Sequence, residues 1–297
     1  MITACKYIAM FMVSFFVLTS YGYSQQSEQT ALLAFSGEER PAKATEENLQ
    51  VHDDVANKSI GGFAGTIQDT FLHKIAESFH SNIIHERRYL LILDGLKTTV
   101  IISVLATLFG TLLGGLVCFM RMSRTIILRV TSRLFIAILR GTPVLVVLMI
   151  VYYVVFAAVN IDPILVAVLA FGLNFAAYVS EMFRTGIEGI DKGQTEAGIA
   201  MGFSKVKTFL YIVLPQAVRR ILPVYKGEMI SLVKMTSIVG YIAVQDLTKA
   251  SDIIRSRTFD AFFPLIMVAV LYFLISWSLM FSLGYVERRI NPHLQPD

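Results

Sequence analysis

Five long apolar segments, separated by loops of unequal charge, constrain this chain more than any other feature. They cover residues 95–120, 132–159, 164–183, 229–247 and 262–286. Each meets the roughly 20 residues that a helix needs to cross the hydrocarbon of a bilayer. Backbone polar groups in that medium must be satisfied within the segment, so the expected class is all-α and polytopic, with five transmembrane helices. Composition agrees: 55% of the 297 residues are apolar and the mean hydropathy is +0.63, well above a soluble domain. The second segment carries Arg133 and Arg140 early, so its apolar part can start as late as Thr142.

The loops set an expected orientation. The first carries Arg121, Arg124, Arg129 and Arg133, whereas the second, from Asn160 to Pro163, has no cation. The third carries Arg184, Lys192, Lys205, Lys207, Arg219, Arg220 and Lys226, and the C-terminal end adds Arg288 and Arg289. The fourth balances Lys249, Arg255 and Arg257 against Asp246, Asp252 and Asp260. Positive loops face the cytoplasm. Loops one and three and the C-terminus are therefore expected inside, with the N-terminus outside the cytoplasmic membrane. Arg87 and Arg88 fall on the disfavoured side in this scheme.

The N-terminal part fits that orientation. Lys6, an apolar run from Ile8 to Leu18, and Gly22-Tyr23-Ser24 have the layout of a secretory signal peptide over residues 1–24. An uncleaved anchor is the other reading. Residues 25–65, rich in Gln, Glu, Ser, Thr and Lys, are expected to form a disordered tether outside the membrane. Residues 25–94 hold 6 Lys/Arg and 11 Asp/Glu, a local balance of −5. Ile67, Phe71, Ile75, Phe79 and Ile83 recur every fourth position, which predicts an amphipathic interfacial helix over 66–90. The permease-like body then runs over 91–288, and 289–297 form a cytoplasmic tail.

The basic charge follows membrane topology, so nucleic acid is not an expected partner. Cys5 and Cys118 lie in or beside apolar segments and offer no disulfide framework or metal cluster. No Gly-x-x-x-x-Gly-Lys-Ser/Thr phosphate-binding loop occurs. No nucleophile–base pair lies within the spans, as a membrane enzyme would require. His73, His80 and His85 are close in sequence but read as surface histidines. No internal repeat marks a transporter built from two halves. This chain is expected to be no enzyme and to bind no cofactor.

The third loop, residues 184–226, is about forty residues long, a length usually reserved for function. Glu196, Ile199, Ala200 and Phe203 recur at helical spacing, followed by Phe209, Ile212 and Val213, with Pro215 and Pro223 as interruptions. Two or three short helices at the membrane face are predicted. Gly202 can supply positive φ or a close approach, and Glu196 can satisfy amides at a helix N-terminus.

Glu196, Ala197, Gly202, Ile212, Leu214 and Pro215 match the spacing of the EAA loop, and the chain thereby resembles ABC importer permeases. The second Ala of that motif is Gly198 here; glycine costs a helix roughly 1 kcal/mol against Ala. Other stretches look like the polar amino acid permease group: Arg140-Gly141-Thr142-Pro143, Ala177-Tyr178, Glu181, Phe183-Arg184, Gly193-Gln194 and Lys234-Met235-Thr236-Ser237. The likeness covers residues 89–289. Residues 79–95 also resemble the junction in proteins that fuse a binding domain to such a permease, although the roughly 200 residues of that domain have no room here.

The resemblance implies the type-1 importer permease fold. It implies docking of a cytoplasmic ABC ATPase dimer at 184–226, with ATP and Mg bound by the ATPase. It also implies an extracytoplasmic substrate-binding protein and a second permease copy or paralogue. Charged groups inside spans are costly and often functional. Arg140, Thr142, Pro143, Glu181, Lys234, Thr236 and Ser237 are thus candidates for the translocation path or a subunit interface, with a structural role, satisfying backbone groups or pairing across the subunit interface, the alternative for Glu181 and Lys234. Glu228 and Lys226 are expected at the inner membrane edge. The competing class is a membrane scaffold or sensor whose loop binds a partner that is not an ATPase.

Overall fold

The computed structural model describes residues 83–290. The expected signal peptide (1–24), the expected tether (25–65), most of the expected interfacial helix (66–82) and the tail beyond Ile290 lie outside the described residues. Every regular element among the described residues is helical. We number them α1 (Tyr89–Met122), α2 (Ile126–Gly141), α3 (Val144–Ile150), α4 (Pro163–Glu188), α5 (Lys192–Ala200), α6 (Lys205–Thr208), α7 (Leu214–Met235), α8 (Leu247–Thr258) and α9 (Phe262–Ile290). Just before α1, Glu86 and Arg87 have φ of 56° and 55°, so the helix predicted over 66–90 is interrupted at its described end.

Three helices are single, long and apolar enough to span a bilayer: the one running from His85 to Met122, α4 and α9. The count rises to five if each of two bent pairs is taken as one span. The second apolar segment is one of these pairs and is not the straight helix predicted. It breaks between α2 and α3 by 110°. The cause is local: Pro143 drives the preceding residue out of the helical region, and Thr142 is extended at φ −107°, ψ 134°. Asn174 of α4 holds the broken end by donating Nδ2–H to the Leu139 carbonyl at 3.2 Å. A π-helical turn, Val151–Val155, continues α3.

The fourth segment differs from expectation in the opposite sense at its start. Helix is continuous from Lys205 to Ile242, so Pro215 does not interrupt it. Proline lacks an N–H and its ring crowds the carbonyl four residues back. A wider π turn over Phe209–Val213 relieves both just before α7 begins. The helix tightens into a 3-10 stretch at Thr236–Ile242 and ends where Ala243 takes φ 60°. The chain then bends 53° into α8.

The core lies around α4. Asp162 starts this helix by accepting the Ile164 N–H at 2.8 Å, with Pro163 at the first position. Phe171, Phe175, Val166 and Val179 are fully or almost fully buried, with Ile102 of α1 and Leu232 of α7. α1 and α4 share the most extensive helix contact in the bundle. Small residues permit it: a Cβ on Gly110 would stand 2.7 Å from the Gly172 carbonyl oxygen, and one on Gly114 would stand 3.0 Å from that of Ala176. The spacing Gly110–Gly114 brings two apolar helices backbone to backbone.

Asp246 fastens the bend before α8. It is fully buried; its carboxylate accepts the N–H of Thr248 and of Lys249, both at 2.9 Å, and the Tyr272 hydroxyl of α9 at 3.1 Å. Asp246→Ala strands all three donors. A lost cap plus unsatisfied buried groups should cost about 2–4 kcal/mol. Thermal unfolding in detergent, followed by helical circular dichroism, should show a lower midpoint, with Asp246→Asn in between.

Candidate functional site

Two features bring the predicted residues together: the α5–α6 turn and a polar cavity at the α2–α3 break.

Asp191 caps α5 by accepting the Gly193 N–H at 2.6 Å. The capping role expected of Glu196 is therefore Asp191's. Glu196 lies in the fifth position of α5, exposed. At the other end Gly202 has φ +89°. Its N–H donates to the Ile199 carbonyl at 2.9 Å, and the Phe203 N–H donates to that of Gly198 at 3.1 Å. This is a Schellman closure, which calls for a left-handed residue at the Gly202 position. Ser204 then caps α6, its Oγ accepting the Lys207 N–H at 3.4 Å.

Gly198 is the buried residue of α5. A Cβ there would meet Thr208 Cγ2 at 2.6 Å and Ile212 Cδ1 at 2.8 Å. The glycine that departs from the motif's alanine thus lets α5 lie directly on the π turn. Two polar links reinforce the contact. Gln216 Nε2–H donates to Gln194 Oε1 at 3.1 Å, and Arg220 donates to the Gly189 carbonyl at the end of α4. Ala197 is exposed, while Ile212, Leu214 and Pro215 line the root of the turn on the continuous helix. The turn projects Met201 (76% exposed), Val206 (67%) and Tyr211 (71%), with Ile199 and Phe203 beside them. A rigid protrusion with apolar tips, carried on α7, can dock into a groove of another protein and pass on its motion.

The cavity, about 480 Å³, is bounded by Arg140, Thr142 and Pro143 at the helix break, Asn174 and Tyr178 of α4, and Glu228 and Ser231 of α7. The Arg140 guanidinium lies over the Tyr178 ring, 5.0 Å from its centroid. Glu228 is half-buried in the wall of this cavity. Its cavity position depends on α7 running unbroken past Pro223, which the sequence pattern concealed. A cation and an anion in one cavity suit a ligand carrying both charges.

The other candidates are elsewhere. Glu181 is half-buried and pairs with Arg121 of α1 at 3.2 Å and with Arg184 of its own helix, which also pairs with Glu188. These pairs lie within the chain and tie the end of α1 to α4. Lys226 pairs with Glu287, joining α7 to α9. Lys234 is exposed, Thr236 is buried with its hydroxyl donating to the Val233 carbonyl at 2.7 Å, and Ser237 is half-buried. None of these three lines the cavity. No cluster of three or more potential metal ligands occurs among the described residues.

Residues 91–292 match the family described as binding-protein-dependent transport system inner membrane component. The chain is 37% identical over 204 residues to the glutamine transport system permease protein of Escherichia coli, covering 68% of this chain and 93% of that one. It is 36% identical over 203 residues to the L-cystine transport system permease protein of Bacillus subtilis, covering 67% and 86%. Among solved structures it resembles an amino acid ABC transporter crystallised with histidines, with a TM-score of 0.63, 35% identity, and 68% and 94% coverage. The methionine ABC transporter MetNI, at 20% identity and a TM-score of 0.59, shares the fold. This chain belongs to the family of binding-protein-dependent transport system inner membrane components. It is a permease subunit of an ABC importer.

Proposed function

We propose that this permease moves polar amino acids inward across the cytoplasmic membrane by alternating access, driven by ATP hydrolysed on a separate ATPase dimer. The observation that carries the cargo assignment is the cavity whose lining includes both Arg140 and Glu228. An α-amino acid offers a carboxylate to the guanidinium and an ammonium to the carboxylate, and charge-assisted hydrogen bonds of this kind are the strong ones. The names of the relatives, which are glutamine and cystine permeases, point the same way.

In this reading the chain crosses the membrane five times, the two bent pairs counting as spans, with its N-terminus outside and its C-terminus in the cytoplasm. The segment 184–226 faces the cytoplasm, and the α5–α6 turn seats on the ATPase. An extracytoplasmic binding protein delivers the cargo, and a second permease copy or paralogue completes the path. The chain binds no cofactor itself; ATP and Mg belong to the ATPase. ATP binding drives the outward-open state only through differential affinity for the two states.

Proteoliposomes containing the chain, its ATPase and its binding protein test this directly. Labelled glutamine, histidine, arginine or cystine should accumulate with ATP inside the compartment that holds the ATPase, and a sugar should not. Equal uptake without ATP, or uptake of the sugar in preference to every amino acid, overturns the reading.

A further inference from the structure

Two of the irregular helical stretches meet each other. Tyr153, in the π turn Val151–Val155, donates its hydroxyl to the Tyr241 carbonyl at 3.2 Å. Tyr241 belongs to the 3-10 stretch Thr236–Ile242. Both side chains are exposed, while Tyr152, edge-on to Tyr153 with ring centroids 4.8 Å apart, packs on the core. Both stretches lead away from the wall of the cavity at the α2–α3 break. Pro143 and Val144 line it at the foot of α3, and Met235 lines it at the end of α7. Tyr153 comes nine residues after Val144, and Tyr241 six after Met235. The loop beyond Val155 leads into α4 at Pro163, whereas the α4 residues of the cavity, Asn174 and Tyr178, lie 11 and 15 residues further along. At the α-helical rise those residues are about 16–22 Å from that loop. The Tyr153–Tyr241 bond therefore lies on the loop side of the cavity. Val147, Leu148, Val239 and Ile242 of the two arms are buried in one apolar cluster.

We propose that the Tyr153 hydroxyl is the latch of an outer gate over this cavity, and that the 3-10 stretch is the hinge that releases it. The proposal rests on the alternating-access reading, in which the loop at 160–163 faces outside. A gate needs an element with two discrete arrangements. Runs of 3-10 helix beyond three or four residues are uncommon, and one inside a longer helix often marks a hinge; this one has seven residues. A 3-10 helix rises faster per residue than an α-helix. Rewinding the steps from Thr236 to Tyr241 as α-helix draws Tyr241 back by about 2.5 Å. That displacement takes its carbonyl out of reach of Tyr153. Both ends of the hinge are set. At its start the Thr236 hydroxyl donates to the Val233 carbonyl at 2.7 Å. At its end Ala243 has φ 60°, a left-handed position that is costly for a residue with a Cβ. Thr236 and Ser237, which do not line the cavity, thereby gain a place in the cycle as the start of the hinge.

ATP hydrolysis in proteoliposomes that hold the chain and its ATPase, without the binding protein, tests this. In alternating access the outward-open state is the one that ATP favours, so weakening the latch populates it. Tyr153→Phe keeps the ring and removes one neutral hydrogen bond, and hydrolysis should rise about five-fold. The thermal unfolding midpoint should stay at the wild-type value. A bond that merely braces the fold would give the reverse, a lower midpoint with an unchanged rate. Spin labels at Val154→Cys and Tyr241→Cys, with Cys5 and Cys118 changed to Ala, give a second readout. Both positions are exposed, and the latch survives because Tyr241 contributes only its backbone carbonyl. With the ATPase bound, a non-hydrolysable ATP analogue should add a population at longer distance, and Tyr153→Phe should show that population without nucleotide. Neither readout involves the amino acid, so a failure here is separate from a failure of the cargo assignment. An unchanged hydrolysis rate in Tyr153→Phe, or one distance population in both nucleotide states, overturns the proposal.

Discussion

Gly202→Val is expected to cut ATP-driven uptake by ~10-fold or more while the chain stays folded in the membrane. The argument is conformational. At φ +89° nothing stands within 4 Å of where a Cβ would be, so the substitution meets no steric neighbour. It meets only the backbone penalty, about 1–2 kcal/mol for an L-residue in the left-handed region and more for a β-branched one. The Schellman closure at Ile199 and Gly198 then opens, and Met201 and Phe203 leave the positions from which they project. A shift of 1.4 kcal/mol in docking is already tenfold. Gly202→Asn, which tolerates positive φ, should retain most of the uptake. Comparing uptake with the ATPase rate in the same liposomes checks the assignment: the Val variant should lose transport and substrate-stimulated hydrolysis together. Full transport by Gly202→Val would mean that the turn's geometry is irrelevant to coupling.

The second large effect is expected at the cavity. Arg140→Ala removes the cation proposed to face the cargo carboxylate, and its stack on Tyr178. Charged hydrogen bonds contribute about 1.5–3 kcal/mol, so the half-saturating amino acid concentration in uptake should rise by roughly 10–100-fold. Glu228→Gln should weaken the ammonium end by a similar factor. The double variant should lose less than the product of the two, because both act on one ligand. Arg140→Lys keeps the charge but loses the planar fork and should recover only part. If both single variants show unchanged half-saturation, the cargo does not sit between these residues.

The sequence exposes some of this architecture and hides the rest for physical reasons. α1, α4 and α9 are long uninterrupted apolar runs, so length alone reveals them. The break at Thr142–Pro143 is written in the proline, yet the same proline could open a helix as well as end one. Its meaning depends on Asn174, reached from another helix. Pro215 misleads in the opposite direction. Read locally it is a stop, but the π turn at Phe209–Val213 absorbs it, and that turn is stabilised by packing under α5. Gly202 is legible because one residue type meets one backbone demand. Glu196 is not: its position in the helix depends on where α5 starts, and Asp191 sets that start. Glu228 looks like an edge residue in a linear reading and turns inward only because α7 continues past Pro223. Gly198, a flaw in the motif on paper, is the contact that seats α5 on Thr208.

The central claim is that the α5–α6 turn couples this permease to an ATPase, and affinity purification of the tagged chain in mild detergent tests it most directly. Quantitative mass spectrometry should find a P-loop ATPase at one copy per permease chain, and Gly202→Val should deplete it. A folded wild-type chain that retains no ATPase in several detergents would contradict the claim, leaving the motif match as a likeness without coupling.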